Sequence, residues 1–528
     1  MSRMRLITAA AAGCLALTAC SGAGGAENGS RDYASDGTFV MSLGLSDPGT
    51  FDPYRSQAIV AVSTLAYDSL LNWQKDGTFA SGLASEWTAD ADGAVFTLKE
   101  GITCSDGTAM TASQVAENLK FLADPANGSS QYGVTVPTVP FTVTADDDAR
   151  TVQVTMSSPY GFILNTIGLA PMVCAEGMKD PKVLQTGSSG TGPFELTDHR
   201  AGESMTFTRR DDYTWGPDGA STAAAGTPSK VVLKFVTDET TAANLLLSDQ
   251  LNLAGIGGPE RERLEAQQVT RTDGSVSGQW IWFNQISDRP TKDATVREAL
   301  MTSIDLPQLI KVSTGGHGEA ARGLIGQETT VCPFDAVADT LPDLDADAAA
   351  AALDGAGWEE GTDGVRQRDG KTLSLDIHYV PSTNIYAEAT AELLAKQWND
   401  LGVKTRLTLD STTAQLKAMF EDSDWDIYLA PFGGNLPTQM VPYLSGPLPP
   451  NGMNLAGIQN ADYDKLAAQA QTLTAPEACP LWKQAEQALY KSLDVVPVSR
   501  LARSIFLNHA EAESNGFQFI PTTFKVLK

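Results

Sequence analysis

LSLDIHY (373–379), IYAEATAELLAKQWN (385–399), VKTRLTL (403–409), TAQLKAMF (413–420) and WDIYL (425–429) follow one another with only short joints between them. The first, third and fifth segments are short, apolar and β-prone, whereas the second and fourth read as amphipathic helices. A strand–helix–strand–helix–strand order predicts a parallel layer with right-handed crossovers, so this part of the chain is an α/β unit. Just before it, Gly364-Val-Arg-Gln-Arg-Asp-Gly370-Lys371-Thr372 looks like a phosphate-binding loop. Five residues separate its glycines where a Walker loop has four, so a hairpin turn is expected instead. Further upstream, Ala346 to Leu353 is an alanine-rich helix stopped by Gly355 and Gly357, and Val296, Leu300, Ile304 and Leu309 keep helical spacing. Downstream, Tyr463 to Leu473 and Leu481 to Leu493 form a helical pair.

The first half has a different rhythm. Thr38 to Gly44 is a strand that runs into a turn at Asp47-Pro48-Gly49-Thr50. A helix is expected from about Ile59 to Leu71. Ala94 to Leu98 alternates at period two, and Thr151 to Met156 is another strand. Between them, Thr111 caps a helix through Phe121, with Gln114 at its third position. Gly190-Thr-Gly-Pro-Phe194 marks a tight turn, a helix runs from about Thr240 to Leu247, and Trp280 to Asn284 is an aromatic strand.

At 528 residues the chain exceeds what one core usually supports, so two or three domains are expected. Its formal charge of −27 argues against nucleic acid and against anionic lipid as partners. Arg3 and Arg5 precede a short apolar run, Leu6 to Ala16, which reads as a cleavable export signal over residues 1–19. Leu17-Thr-Ala-Cys20 is similar to a bacterial lipobox, which makes Cys20 the lipidated residue and 20–36 a flexible tether. The protein would then sit, lipid-anchored, on the outer face of the cytoplasmic membrane. Four further cysteines remain, Cys104, Cys174, Cys332 and Cys479; in an oxidising compartment they form two disulfides, with three possible pairings.

Catalytic constellations are missing. The four histidines, His199, His317, His378 and His509, are scattered singly, and no nucleophile elbow occurs. Asp90/Asp92 and Asp146-Asp147-Asp148 lack a distal ligand glutamate and read as turns. No enzyme activity, cofactor or metal site is expected.

Several segments then match one family in order. Leu45 to Pro53 resembles its loop after the first strand, and Gly101-Ile-Thr-Cys-Ser-Asp-Gly-Thr-Ala-Met-Thr-Ala112 its "GxxFSDGxPLTA" segment, with Cys104 in place of the aromatic. Gly190 to Phe194 resembles the GTGP turn, Phe283-Asn284 with Val296-Arg-Glu-Ala-Leu300 the "FN…VRxAL" pair, and Ala389 to Val403 the helix before a GV turn. From about Thr38 onward the chain resembles the family 5 extracellular solute-binding proteins of ABC importers, the oligopeptide, dipeptide and nickel type.

That resemblance implies a two-lobed periplasmic-binding-protein-like α/β fold with an extra inserted domain, the lobes joined by two hinge strands near Trp280–Asn284 and Val496–Arg500. Lobe one would comprise 37–54, 190–280 and 500–528, the inserted domain 55–189, and lobe three 281–499. Cys104–Cys174 and Cys332–Cys479 are then the favoured pairs, because each stays within one lobe and leaves closure free. The implied function is capture of a peptide-class solute in the cleft by a monomer, for delivery to membrane permease subunits; an oligosaccharide, opine or metal chelate is the alternative. The family's "GWxADY" segment, whose aspartate pairs with a peptide ammonium, corresponds to Ala430 to Leu436. Phe432 stands at the tryptophan and Asn435 at the aspartate, a neutral amide where a charge is usual. Candidate ligand residues are Tyr54, Trp282, Asn284, Trp425, Phe432, Asn435 and Tyr443, with core packing the competing role for each.

Overall fold

The parallel layer forms as read. In a computed structural model that describes residues 32–286, 288–325, 331–380, 384–430 and 435–528, Ser374–Tyr379 pairs in parallel with both Lys404–Leu409 and Ile427–Leu429. The export signal, Cys20 and Phe432 lie outside the described residues. Helix Ala387–Asp400 makes the first crossover, burying Ala387, Ala391, Leu394 and Trp398 at four- and three-residue spacing. These side chains share a core with Leu375, Ile377 and Leu429. Trp398 also donates from Nε1 to the Leu300 carbonyl (3.0 Å), tying the crossover to helix Ala294–Thr302.

This layer is one end of a single large sheet. Its strands run in the order Lys404–Leu409, Ser374–Tyr379, Ile427–Leu429, Thr270–Phe283, Val495–Leu507, Leu253–Ile256, Thr38–Ser42, Lys230–Lys234, Ser204–Arg209, Phe194–Arg200. Two strands are far longer than the rest. Thr270–Phe283 and Val495–Leu507 pair antiparallel along their lengths, and each belongs to both ends of the sheet. The fold is thus two α/β lobes joined by two hinge strands. The register between the pair shifts twice, between Asp273 and Val276 and between Gln279 and Trp280, which bends the ribbon where it leaves one lobe for the other.

The segment between the first strand and Gly190 builds a separate antiparallel sheet, Ala84–Ala89, Gly93–Leu98, Thr151–Met156 and Phe141–Asp146 in spatial order. Helix Ala112–Ala123 packs on it, and Thr111 Oγ1 accepts from Gln114 N at 3.2 Å, the cap expected from the sequence. Both favoured disulfides are present, Cys104–Cys174 and Cys332–Cys479. The glycine-flanked stretch before Leu373 is a hairpin: Arg366–Arg368 pairs with Lys371–Thr372, and Asp369 and Gly370 make the turn with φ of 53° and 75°.

One expected helix is absent. Ile59 to Leu71 forms turns with a single 3-10 turn at Ser63–Leu65, and a short strand begins at Leu71. Its apolar residues are buried all round, Ile59, Val62, Leu65, Ala66, Tyr67 and Leu70 among them, so no helical face was there to select. The Gly190–Phe194 turn also lies on this backbone: Gly192 N donates to Ala66 O at 2.9 Å, taking a carbonyl a helix would have used. A Cβ on Gly192 would stand 2.5 Å from the Ala66 carbonyl carbon, so only glycine permits the contact. Among the described residues, no helix is long and apolar enough to cross a membrane.

Candidate functional site

Strand registers fix where the two lobes present their functional ends. In lobe one, Leu253 lies opposite Leu507 and Ile256 opposite Ser504, so Leu253–Ile256 runs toward the middle of the long strands. Thr38–Ser42 is parallel to it and ends in the same place. In the other lobe, Ile427 lies opposite Phe283 and Leu429 opposite Ile281, so Ile427–Leu429 runs toward the same middle from the far side. Ser374–Tyr379 and Lys404–Leu409 are parallel to that strand. The carboxyl ends of both parallel sets therefore converge on a waist carried by two strands, joined at Ser499 and Arg500 by the two-residue strand Glu319–Ala320. Ligands in open α/β sheets bind at such strand ends, because the connecting loops there are free of the sheet and the cleft between them is not filled by crossover helices.

The candidate residues divide on this geometry. Tyr54, Trp282, Asn284 and Trp425 are buried in the protein interior. The Tyr54 hydroxyl is held between Asn118 Oδ1 and the Pro171 carbonyl. Trp282 Nε1 donates to Ala430 O at 3.2 Å. Asn284 donates from Nδ2 to Trp425 O (2.8 Å) and accepts from Ile286 N (3.0 Å). These three were expected to offer polar tips to a solute; the tips are instead spent on the protein, Trp282 and Asn284 bracing the hinge strand against the ends of Ile427–Leu429 and Tyr54 tying helix Ala112–Ala123 to Pro171. Trp425 packs edge-on against Tyr428 at 5.6 Å, and its Nε1 is buried without a hydrogen-bond partner among the described residues. Tyr443 is half-buried, which pushes its hydroxyl pKa up.

Asn435 is placed differently. It lines a cavity with Trp73, Gln131, Asn165, Gln439 and Asn515, which come from both lobes and from the inserted segment. Trp73 Nε1 and Asn165 Nδ2 are buried there with no partner among the described residues, two donors in want of an acceptor. Across it, Gln439 Nε2 donates to the Val134 carbonyl. The cavity volume is about 50 Å³, room for a few waters at roughly 10–15 Å³ each and too little for a peptide.

Sequence reasoning treated His378 as an ordinary lone histidine. It is buried between two carboxylates, Nδ1 at 2.8 Å from Asp410 Oδ2 and Nε2 at 3.2 Å from Asp376 Oδ2. Tyr428 Oη donates to the same Asp410 oxygen (2.6 Å), and Thr408 Oγ1 and Arg406 hold Asp376. Burial pulls the imidazole pKa down, but the hydrogen bonds and charge of both aspartates outweigh it and hold it above the ordinary 6.5. The stabilisation is therefore full below pH 6.5 and is lost as pH rises through the raised value. His378→Gln is expected to flatten the fall in urea-unfolding midpoint between about pH 6 and about pH 9. An unaltered slope would show that this imidazole does not titrate in that range. Among the described residues, no three His, Cys, Asp or Glu side chains are grouped to hold a metal ion.

Missed altogether were Gln279, Arg503 and Ser504, on the two long strands. Gln279 Nε2, Arg503 Nε and Ser504 Oγ are each buried without a hydrogen-bond partner among the described residues. The available signal was composition: VVPVSRLARSIFL (495–507) carries two arginines inside an otherwise apolar strand.

Comparison with known proteins agrees with this architecture. The family profile that matches, over residues 78–454, is that of the bacterial extracellular solute-binding proteins, family 5 (middle). The glutathione-binding protein GsiB of Escherichia coli strain K12 is 24% identical over 516 residues, 92% of each chain. A substrate-binding protein from Microbacterium hydrocarbonoxydans, solved with 4-hydroxybenzoate hydrazide, superposes with a TM-score of 0.74 at 26% identity, covering 93% of this chain and 99% of that one. The dipeptide-binding protein of Pseudoalteromonas sp. SM9913, solved with Met-Leu, gives 0.75 at 18% identity, over 93% and 100%. With two lobes meeting at a two-strand waist and a family match over most of its length, the chain belongs to the family 5 bacterial extracellular solute-binding proteins, the solute-capturing components of ABC import systems.

Proposed function

We propose that this protein captures a small peptide-class solute outside the cell, between its two lobes, and hands it to an ABC permease without covalent chemistry. The observation that carries the reading is the convergence of both sets of strand ends on the waist, which leaves two strands as the axis about which the lobes can part. Lobe one is taken as 37–54, 190–280 and 500–528, the inserted domain as 55–189 and lobe three as 281–499. Export through residues 1–19 and a lipid on Cys20 would keep the receptor beside its permease.

Relatives of this chain bind glutathione and the dipeptide Met-Leu, which supports a peptide-class ligand. The cavity beside Asn435 holds only a few waters, so admitting a peptide requires the lobes to move apart. The solute must then favour the closed arrangement over the open one, since equal affinity for both would shift nothing. The relative solved with an aromatic hydrazide favours a second reading, a small non-peptide ligand.

Thermal-shift measurement of the purified protein distinguishes the two. Di- and tripeptides, glutathione, 4-hydroxybenzoate hydrazide, oligosaccharides and metal chelates are compared. A ligand present at one hundred times its Kd should stabilise by about 2.7 kcal/mol, a readily measured rise in melting temperature. A shift with peptides or glutathione is expected; a shift confined to the hydrazide, sugars or chelates would overturn the peptide assignment.

A further inference from the structure

Arg503 sits on the long strand Val495–Leu507, at the point where Thr38–Ser42 and Leu253–Ile256 end. Its guanidinium lies across two glycines that make room for it. A Cβ on Gly44 would stand 2.6 Å from Nη2, and one on Gly255 would stand 3.0 Å from Nε. Gly44 itself has a φ of 68°, the left-handed region that glycine enters freely. The backbone of lobe one is thus cut back along the whole side chain.

The charge is poorly answered. Nη2 donates to the Gly255 carbonyl at 2.9 Å, and Nε is buried with no hydrogen-bond partner among the described residues. The nearest carboxylate, Glu239, is 3.7 Å away. Its oxygens also accept from the backbone, Oε1 from Gly257 N (2.8 Å) and Oε2 from Gly258 N (2.7 Å). Burial lowers the guanidinium pKa, with Glu239 opposing, yet arginine stays charged at any physiological pH. The side chain is 35% exposed, so the charge is shared with solvent and a carboxylate can reach it.

The position is also inside the cleft. Ile385 of the opposite lobe, an exposed side chain, reaches within 2.9 Å of where a Gly258 Cβ would be. An arginine about a third exposed at the cleft, with its Glu239 partner as far off as 3.7 Å, suits an acceptor-only, negatively charged group.

We propose that Arg503 is the anion-binding residue of this cleft and takes a carboxylate of the solute, so that the ligands are acidic: free-acid peptides in preference to amidated or esterified ones. This rests on the solute-capture reading above and adds to it the charge of the ligand. Calorimetry of the full exported protein tests it with matched probes, trialanine against trialanine amide and glutathione against its diethyl ester, together with short dicarboxylic acids that contain no peptide bond. The acid member of a pair is expected to bind at least tenfold tighter to the wild-type protein. Arg503→Gln should abolish that preference while leaving the affinity for the amide or ester within threefold, and Arg503→Lys should keep part of it. Melting curves of each variant establish that it is folded. Glu239→Gln serves as the control for a merely structural ion pair, since it should leave the preference intact. If acid and amide bind alike, the carboxylate site is wrong and peptide capture stands. If only dicarboxylic acids bind, and lose affinity in Arg503→Gln, the site stands and the peptide reading falls. Equal weakening of both members of a pair by Arg503→Gln, or no response to any carboxylate, overturns the proposal.

Discussion

Arg297→Ala is expected to destabilise the protein by roughly 3–5 kcal/mol, the cost of breaking a buried charge pair from one side. Arg297 lies on helix Ala294–Thr302 and is only 4% exposed. Its Nη1 donates to the carbonyls of Thr291 (3.0 Å) and Lys292 (3.1 Å), and Nη2 to that of Ser492 (2.9 Å). Asp494, equally buried, stands 3.4 Å from Nη2 and is steadied by Asn460 (2.8 Å) and Gln285 (3.1 Å). Truncation strands one carboxylate and three carbonyls, and lysine cannot reproduce the fork that serves them. Urea unfolding should show a lower midpoint at unchanged slope for Arg297→Ala, with Arg297→Lys recovering little of it. A loss below about 1 kcal/mol would mean that the neighbours rearrange around the gap.

Removing the Cys332–Cys479 bridge should cost as much. The two residues are 147 apart in sequence, and closing a loop of that length in the unfolded chain corresponds to about 5 kcal/mol of chain entropy. Measured losses are commonly smaller, so roughly 2–5 kcal/mol is expected for the double Cys→Ser variant. The 70-residue span of Cys104–Cys174 predicts slightly less. Urea midpoints of the wild-type protein with and without a thiol reductant check the effect without substitution. Unchanged midpoints under conditions where free-thiol assays confirm reduction would show that the bridges add nothing.

Trp280 to Asn284 was legible as an aromatic, apolar strand on its own pattern, and it was the family resemblance that implied a hinge there. Arg297 was equally visible as part of the Val296–Leu300 segment, but its burial was not, since an arginine on a helix is ordinarily solvated. Candidate ligand residues fared worse for a related reason. Tyr54, Trp282 and Asn284 are amphipathic, and composition cannot say whether a polar tip meets a solute or a carbonyl of the protein. Asn118, Ala430 and Trp425, the groups that take those tips, come from 64, 148 and 141 residues away. Ile59 to Leu71 misled in the same manner: local pattern favoured a helix, and the distant turn at Gly190–Phe194 claimed its backbone.

The sequence by itself determined the α/β layer at Ser374–Leu429, the Thr111 cap and the Asp369-Gly370 hairpin, because each follows from periodicity or turn chemistry within short stretches of chain. Only the tertiary structure decided that both lobes aim their strand ends at one waist and that Arg503 lies there half-buried and poorly paired. Those properties depend on which strands become neighbours across long stretches of chain, Ile281 beside Leu429 and Leu253 beside Leu507, and on which polar atoms remain unsatisfied once they have. Nothing in the local pattern around Arg503 encodes either.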